Sequence, residues 1–281
     1  MKILITGHKG MIGSALKTIL LDHILVTFNR SELNIGNTYQ VMKMPKVDFI
    51  VHLAAETDHE YCDLNPSHCY YVNTIGTANM MRLAKEQDIP ILYLSAGSVF
   101  DGEKGSPYMP FDKPNPINHY NSSKWYGEEI IQSYRKHFIL RAGWMFGGGP
   151  GIDKKFVYKI YKKIRNGQEE IMVCNDCIGS PTYTIDLSKC IENIIKFKDS
   201  YNYGTYHFVN EGVGVSRYDF AREIVEIIGT TTRLKACFID DLKEEFPCKR
   251  TNYDVLQSSF KSRHWSQALK EYLENNFPAT I

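Results

Sequence analysis

Neither sign of charge dominates this sequence: 33 Lys and Arg stand against 32 Asp and Glu, a formal net charge of +1 over 281 residues. A chain so balanced has no broad basic face, which excludes the electrostatic footprint of a nucleic-acid binder. Any anion it holds must be met locally by a few placed residues. Long hydrophobic runs are missing as well. Stretches such as Ile3 to Thr6 and Phe49 to Ala55 fall far short of the roughly 20 apolar residues that a membrane crossing needs. The opening Met-Lys-Ile-Leu-Ile-Thr-Gly turns to glycine where a secretory signal would lengthen its apolar core, so it reads as the first buried strand of a cytoplasmic protein. There is no internal repeat and no low-complexity segment. The seven cysteines are an odd number in a long chain, which argues against a secreted disulfide framework. Cys174-Asn-Asp-Cys177 has CxxC spacing but no second CxxC and no paired histidines, so the expectation is buried free thiols and no metal.

What is present is alternation. Short apolar runs at Lys2–Thr6, Ile24–Phe28, Phe49–Leu53, Ile91–Ser95 and Phe138–Arg141 are separated by helical patterns near Met11–Leu20, Pro66–Glu86 and Asn118–Arg135. This is the order of repeated βαβ units. The fold class expected is α/β, a Rossmann-like doubly wound parallel sheet with a smaller C-terminal α/β substrate-binding lobe. The division falls at 1–146 for the dinucleotide-binding domain and 147–281 for the lobe, with a strand near 205–209 returning to the first. Past Gly147-Gly-Gly-Pro150 the pattern is irregular. It holds a basic helix at Lys154–Asn166 and further helices near Arg217–Ile228 and Ser266–Glu274.

Gly7-His8-Lys9-Gly10-Met11-Ile12-Gly13 follows the first strand and opens the first helix. The chain must turn tightly there, bring backbone N–H groups to a pyrophosphate and pack the helix on the sheet. Each need excludes a Cβ, and the helix start supplies partial positive charge. Gly7, His8, Lys9, Gly10, Met11 and Ile12 are therefore candidate cofactor contacts. At the end of the second strand, where NAD enzymes usually present a carboxylate to the adenosine ribose, the chain reads Phe28-Asn29-Arg30. With no acid to repel a 2′-phosphate and a guanidinium able to clamp it, Asn29 and Arg30 point to NADP(H), and Lys9 offers a second cation.

Tyr120-Asn-Ser-Ser-Lys124 opens the helix after the fourth strand. A spacing of four puts phenol and ammonium on one face, where the cation is expected to lower the tyrosine pKa. Tyrosine then gives its proton to a carbonyl oxygen as hydride reaches the carbon.

At this point the sequence resembles the extended short-chain dehydrogenase/reductases, most closely the dTDP-4-dehydrorhamnose reductase group. The resemblance is carried by His52-Leu-Ala-Ala55 with Thr57, Val72-Asn73, Val99-Phe-Asp-Gly102, Tyr120 to Lys124 with Gly127-Glu128, Arg141 with Trp144, Gly179-Ser-Pro-Thr182 and Tyr206-His207. It implies that Tyr120 is the general acid and that Lys124 orients both cofactor and tyrosine. Leu53, Ala54, Ala55 and Asn73 would belong to the cofactor site, and Thr57 and Trp144 would touch the sugar. It also implies NADPH-dependent reduction of the 4-keto group of a nucleotide-linked 6-deoxy sugar. The first loop is similar to that of GDP-fucose synthase, a relative that epimerises as well as reduces.

Three departures matter. The family's Ser or Thr, four residues before the aromatic of the Val-Phe turn, is Ala96 here. Either Ser95 or Ser98 replaces that hydrogen-bond donor, or it is missing at a cost of about 10²–10³ in rate. If the strand continues, Ser98 shares the side of Ala96 and is the better candidate. Ser98 also stands where GDP-fucose synthases carry their epimerising cysteine, and a serine is a poor base, so simple reduction is expected. Lys155 and Arg250 are candidate ligands for a nucleotide diphosphate, although Thr251 replaces the proline that usually follows that arginine. Ala96 keeps open a different class of function, a non-catalytic NADP-binding regulatory subunit of the same fold, which the β subunit of methionine adenosyltransferase resembles. A homodimer is the expected assembly.

Overall fold

The computed structural model describes residues 1–277. The last four residues of the expected C-terminal lobe lie outside that range. Strands β1 (Lys2–Thr6), β2 (Ile24–Thr27), β3 (Phe49–His52), β4 (Ile91–Ala96) and β5 (His137–Ala142) join the strand Gly204–Phe208 in one parallel sheet. The order across it is Gly204–Phe208, β5, β4, β3, β1, β2. Ile3, Leu4 and Ile5 are fully buried, as are Phe49, Ile50 and Val51, the continuous apolar reading of strands covered on both faces. The chain leaves β1 for β2 on one side and returns to β3 on the other. Between the ends of β1 and β3 lies the switch point where such sheets bind ligands.

Helix α1 (Met11–Ile19) packs on the sheet through Ile12 and Leu16. Against it lies a helix that the sequence reading passes over, Thr184–Lys196, whose Leu187, Ile191, Ile194 and Ile195 join the same core. This second-half helix covers the sheet, so residues beyond 147 belong mainly, not wholly, to the lobe. The expected single helix Pro66–Glu86 is Pro66–Tyr70 and Gly76–Glu86 joined by a π-helical turn, Tyr71–Ile75. Such turns widen the helix and are frequent at functional sites.

The rest of the second half forms a lobe with its own core of Phe146, Ile160, Ile171, Phe220, Ile224, Leu269 and Tyr272. Its helices are Phe156–Arg165, Arg217–Ile228 and Trp265–Asn276. Two parallel strands, Glu170–Cys174 and Arg233–Cys237, form a ribbon at its edge that the sequence reading does not anticipate. No helix among the described residues is long and apolar enough to cross a membrane.

Candidate active site

The glycine loop lies against the end of β3. Gly7 has φ +72°, and a Cβ there would come within 2.8 Å of the Ala54 backbone nitrogen, so the turn and the close approach both demand glycine. Thr6 secures the crossing. Its Oγ1 pairs with His52 Nδ1 at 2.7 Å and accepts from the N–H groups of Leu53 and Ala54 at 3.2 and 3.1 Å. The other nitrogen of His52 meets Thr77 Oγ1 at 3.0 Å, and burial lowers the His52 pKa to about 3, so the ring is a neutral link between strands and helix.

Leu53, Ala54 and Ala55 are half-buried along the rim, Lys9 and Gly10 are exposed, and His8 is buried. At the tip of β2, Asn29 Oδ1 is buried without a partner, an acceptor free for a ribose hydroxyl. Arg30, 74% exposed, leans toward Glu56 at 3.8 Å. A cradle without room for a Cβ, an orphaned acceptor and two exposed cations fit a phosphorylated dinucleotide. Asn73 is fully buried in the π turn and its amide bonds Glu56 N and O at 2.7 and 2.9 Å and Ser123 Oγ at 2.9 Å, so it holds the rim loop to the helix that carries Tyr120.

Tyr120 and Lys124 lie on the helix His119–Gln132, capped by Asn118, whose Oδ1 accepts from Asn121 N at 2.8 Å. The same Asn118 donates through Nδ2 to the Lys249 carbonyl at 2.9 Å and contacts His59 Nδ1 at 3.3 Å, tying the helix start to the substrate side. Lys124, 4% exposed, donates to the Leu94 carbonyl at 2.9 Å and sits 4.1 Å from the Tyr93 ring centroid. Burial lowers its pKa to about 7 against the opposing pull of Glu128. Tyr120 shifts opposite to expectation: burial, with Cys62, Cys69 and Glu56 nearby, pushes its phenol well above the usual range. A tyrosine that stays protonated at neutral pH is a proton donor.

A buried Arg141–Glu128 pair, 2.6 Å between Nη2 and Oε2, pins this helix to β5. Ser95 is buried on the Tyr93 side of β4, and its hydroxyl has no hydrogen-bond partner among the described residues. Ser98 keeps its candidacy but for another reason than strand alternation. The strand stops at Ala96 and Gly97–Val99 is a 3-10 turn, which leaves Ser98 half-buried at the strand end.

On the substrate side the structure adds residues that sequence reading missed. The His59 ring lies 4.3 Å from that of Tyr120, and its pKa is lowered to about 3 by burial and by the charges of Arg250 and Lys155. Lys155 and Arg250 are thereby brought to the catalytic helix, Arg250 ion-paired with Glu60. Thr57 is exposed on the intervening loop. Trp144 donates from Nε1 to Asp254 at 3.2 Å, and the Arg217 guanidinium lies 3.4 Å over its ring centroid. Burial lowers Arg217 to about 10 and raises Asp254 to about 7, and Arg217 also feels Arg250. Lys155 and Arg217 are thus each near enough to Arg250 for its charge to act on them, and Lys155 and Arg250 both act on the His59 that lies beside Tyr120. Arg217 carried no sequence signal beyond opening a capped helix.

The fold recurs in known proteins. A dTDP-4-dehydrorhamnose reductase from Clostridium acetobutylicum superposes with a TM-score of 0.90 at 31% identity, over 98% of this chain and 99% of that one. One from Bacillus anthracis in complex with NADP gives a TM-score of 0.89 at 28% identity, again over 98% and 99%. The spore coat polysaccharide biosynthesis protein SpsK of Bacillus subtilis is 29% identical over 99% of both chains. Residues 1–277 match the family described as RmlD substrate binding domain, and the chain belongs to that family.

Proposed function

We propose that the protein is an NADPH-dependent oxidoreductase that reduces the 4-keto group of a nucleotide-linked 6-deoxy sugar, the reaction class named for its dTDP-4-dehydrorhamnose reductase relatives. The observation that carries the reading is the pairing of a high-pKa Tyr120 with a buried Lys124 one helical turn away. With it go the glycine cradle and the charges of Lys155 and Arg250, which act on the His59 beside Tyr120. The relative solved with NADP supports the cofactor. Bound there, NADPH supplies hydride to the carbonyl carbon. Gly7, Gly10 and the start of α1 would receive its pyrophosphate, and Asn29, Arg30 and Lys9 its adenosine end. Tyr120 gives its proton to the carbonyl oxygen, and Lys124, charged below about pH 7, offsets the phenolate left behind. Lys155, Arg250 and Arg217 hold the diphosphate, while Thr57 and Trp144 shape the sugar pocket.

Ser98 is the candidate second donor to the carbonyl oxygen. As a serine it does not abstract carbon-bound protons, so reduction proceeds without epimerisation. The protein acts in the cytoplasm, in keeping with seven free cysteines among its described residues, and as a two-fold dimer.

The test is the fall in NADPH absorbance when the purified protein meets a panel of nucleotide-linked 4-keto-6-deoxy sugars, with NADH in parallel and Tyr120→Phe as control. Oxidation with one sugar, lost in the variant, establishes the reductase. Ala96 favours a second reading, a cofactor-binding regulatory subunit without turnover. Tight NADPH binding with negligible oxidation in both proteins would make that the function.

A further inference from the structure

The reductase reading leaves the Cys174-Asn-Asp-Cys177 turn unused, and the structure gives it company. Glu170–Cys174 and Arg233–Cys237 pair in parallel with Cys174 opposite Cys237. Ile171 and Val173 face the lobe core, so Cys174 points to the other face of the ribbon, and register sets Cys237 beside it on that face. The chain after Cys174 is folded back by three hydrogen bonds. Asn175 N donates to the Cys237 carbonyl at 2.9 Å, Ile239 N to Asp176 Oδ1 at 2.9 Å, and Arg217 N to the Cys177 carbonyl at 3.0 Å. The turn gathers the two sulfurs and an Asp176 carboxylate oxygen within 4.8 Å of one another. Both thiols are free and 6% exposed.

We infer that Cys174, Asp176 and Cys177, closed by Cys237, bind a thiophilic divalent cation, with zinc the first choice. Sulfurs bound at 2.3 Å around a tetrahedral ion stand about 3.8 Å apart, a spacing that Cys174, Asp176 and Cys177 reach with small side-chain movements, while Cys237 has to swing in from its place opposite Cys174. Magnesium and calcium demand shells of oxygen that one carboxylate does not supply. Three thiolates and a carboxylate bring four negative charges. A dication and the Arg217 guanidinium, whose charge reaches the Cys174 and Cys177 sulfurs, offset three of them, and one stays on the site. Bound there, the ion ties the ends of both ribbon strands to the turn that leads into Gly179-Ser-Pro and to the start of the Arg217 helix. Its role is structural, and the inference stands whether or not the protein is a reductase.

The experiment uses the untagged full chain, reduced with a phosphine, stripped with a chelator and titrated with Co²⁺. A near-ultraviolet thiolate-to-cobalt band saturating at one equivalent and bleached by Zn²⁺ is expected, with a zinc-induced rise in Tm that chelator reverses. Cys174→Ser and Cys177→Ser, with circular dichroism confirming their fold, are expected to lose the band. Asp176→Asn and Cys237→Ser are expected to weaken binding on the order of tenfold or more. Absence of the band from the reduced wild type overturns the inference, as does a band that survives in the Cys174→Ser/Cys177→Ser double variant. A Cys174–Cys177 disulfide in the isolated protein, with no cobalt uptake once reduced, would also overturn it.

Discussion

Replacing Lys124 by methionine removes a buried cation while keeping most of its stem, and the structure sets the sign and size of the effect on stability. The ammonium is 4% exposed, and burial moves its pKa from 10.5 to about 7. That makes the charged form about 5 kcal/mol less favourable in the folded protein than in the open chain. Against this, the variant loses the hydrogen bond to the Leu94 carbonyl, worth about 1 kcal/mol, whereas the attraction of the cation to the Tyr93 ring is already contained in the shifted pKa. The balance at pH 6, where folded and unfolded lysine are both protonated, favours Lys124→Met by about 4 kcal/mol. In a chain of this size that raises Tm by about 8–16 °C. Between pH 7 and 10.5 the folded protein has shed the proton while the unfolded chain still holds it, so wild-type stability rises with pH across this window. The gap therefore closes at about pH 10, where the remaining penalty equals the lost hydrogen bond. Calorimetry of the cofactor-free proteins at pH 6, 7.5, 9 and 10 reads this directly, with NADPH oxidation expected to be lost throughout in the variant. A variant less stable than wild type at pH 6, or a gap indifferent to pH, refutes the argument.

Ala96→Thr is expected to raise kcat on the order of tenfold or more if the second oxyanion donor is missing. If Ser98 already fills that place, Ala96→Thr changes little and Ser98→Ala lowers kcat by about 10²–10³; steady-state rates of both variants decide. Arg30→Ala is expected to lower kcat/KM for NADPH by roughly tenfold while leaving that for NADH unchanged, and an equal loss with both cofactors would remove Arg30 from the 2′-phosphate site. Glu128→Gln leaves the 2%-exposed Arg141 without its counter-charge and is expected to cost about 3–5 kcal/mol, seen as a fall in Tm of about 10 °C. An unchanged melting temperature would show that the pair does not hold the catalytic helix.

The residues that sequence made legible are those whose role is local. A buried parallel strand must be apolar along its whole length, and each of the six expected strands is observed with bounds shifted by only a residue or so at either end. A turn that lets one strand end touch another must use glycine, and Gly7 does so against Ala54. The residues that escaped depend on what the fold places beside them. Leu187, Ile191, Ile194 and Ile195 carry helical spacing, yet only the packing on α1 shows that they belong to the first core. Asn73 is inward because a π turn rotates it toward Ser123, and helical propensity alone does not foresee that extra residue in the turn. Ser98 shares the side of Ala96 only if the strand runs on, and the strand ends two residues earlier. The CxxC turn looked isolated because its neighbour Cys237 is sixty residues away along the chain and adjacent only through the ribbon register.

The expectation that Lys124 lowers the Tyr120 pKa failed for a reason that bears on the protonation state from which the reaction starts. A lysine presses a tyrosine toward phenolate only if its own charge is secure, and Lys124 is itself destabilised by the burial that surrounds the pair. The same burial, with two thiols and Glu56 nearby, raises Tyr120. Both groups therefore favour their uncharged forms before ligands arrive: a phenol that keeps its proton and an amine that titrates near neutrality. Such a pair is poised to release the tyrosine proton only when negative charge develops on a carbonyl oxygen, since the phenolate then formed draws Lys124 toward its charged form. Oxidation of an alcohol would instead need phenolate at the outset, the species this site disfavours most. The resting protonation state of the site is thus the one from which reduction of a carbonyl starts.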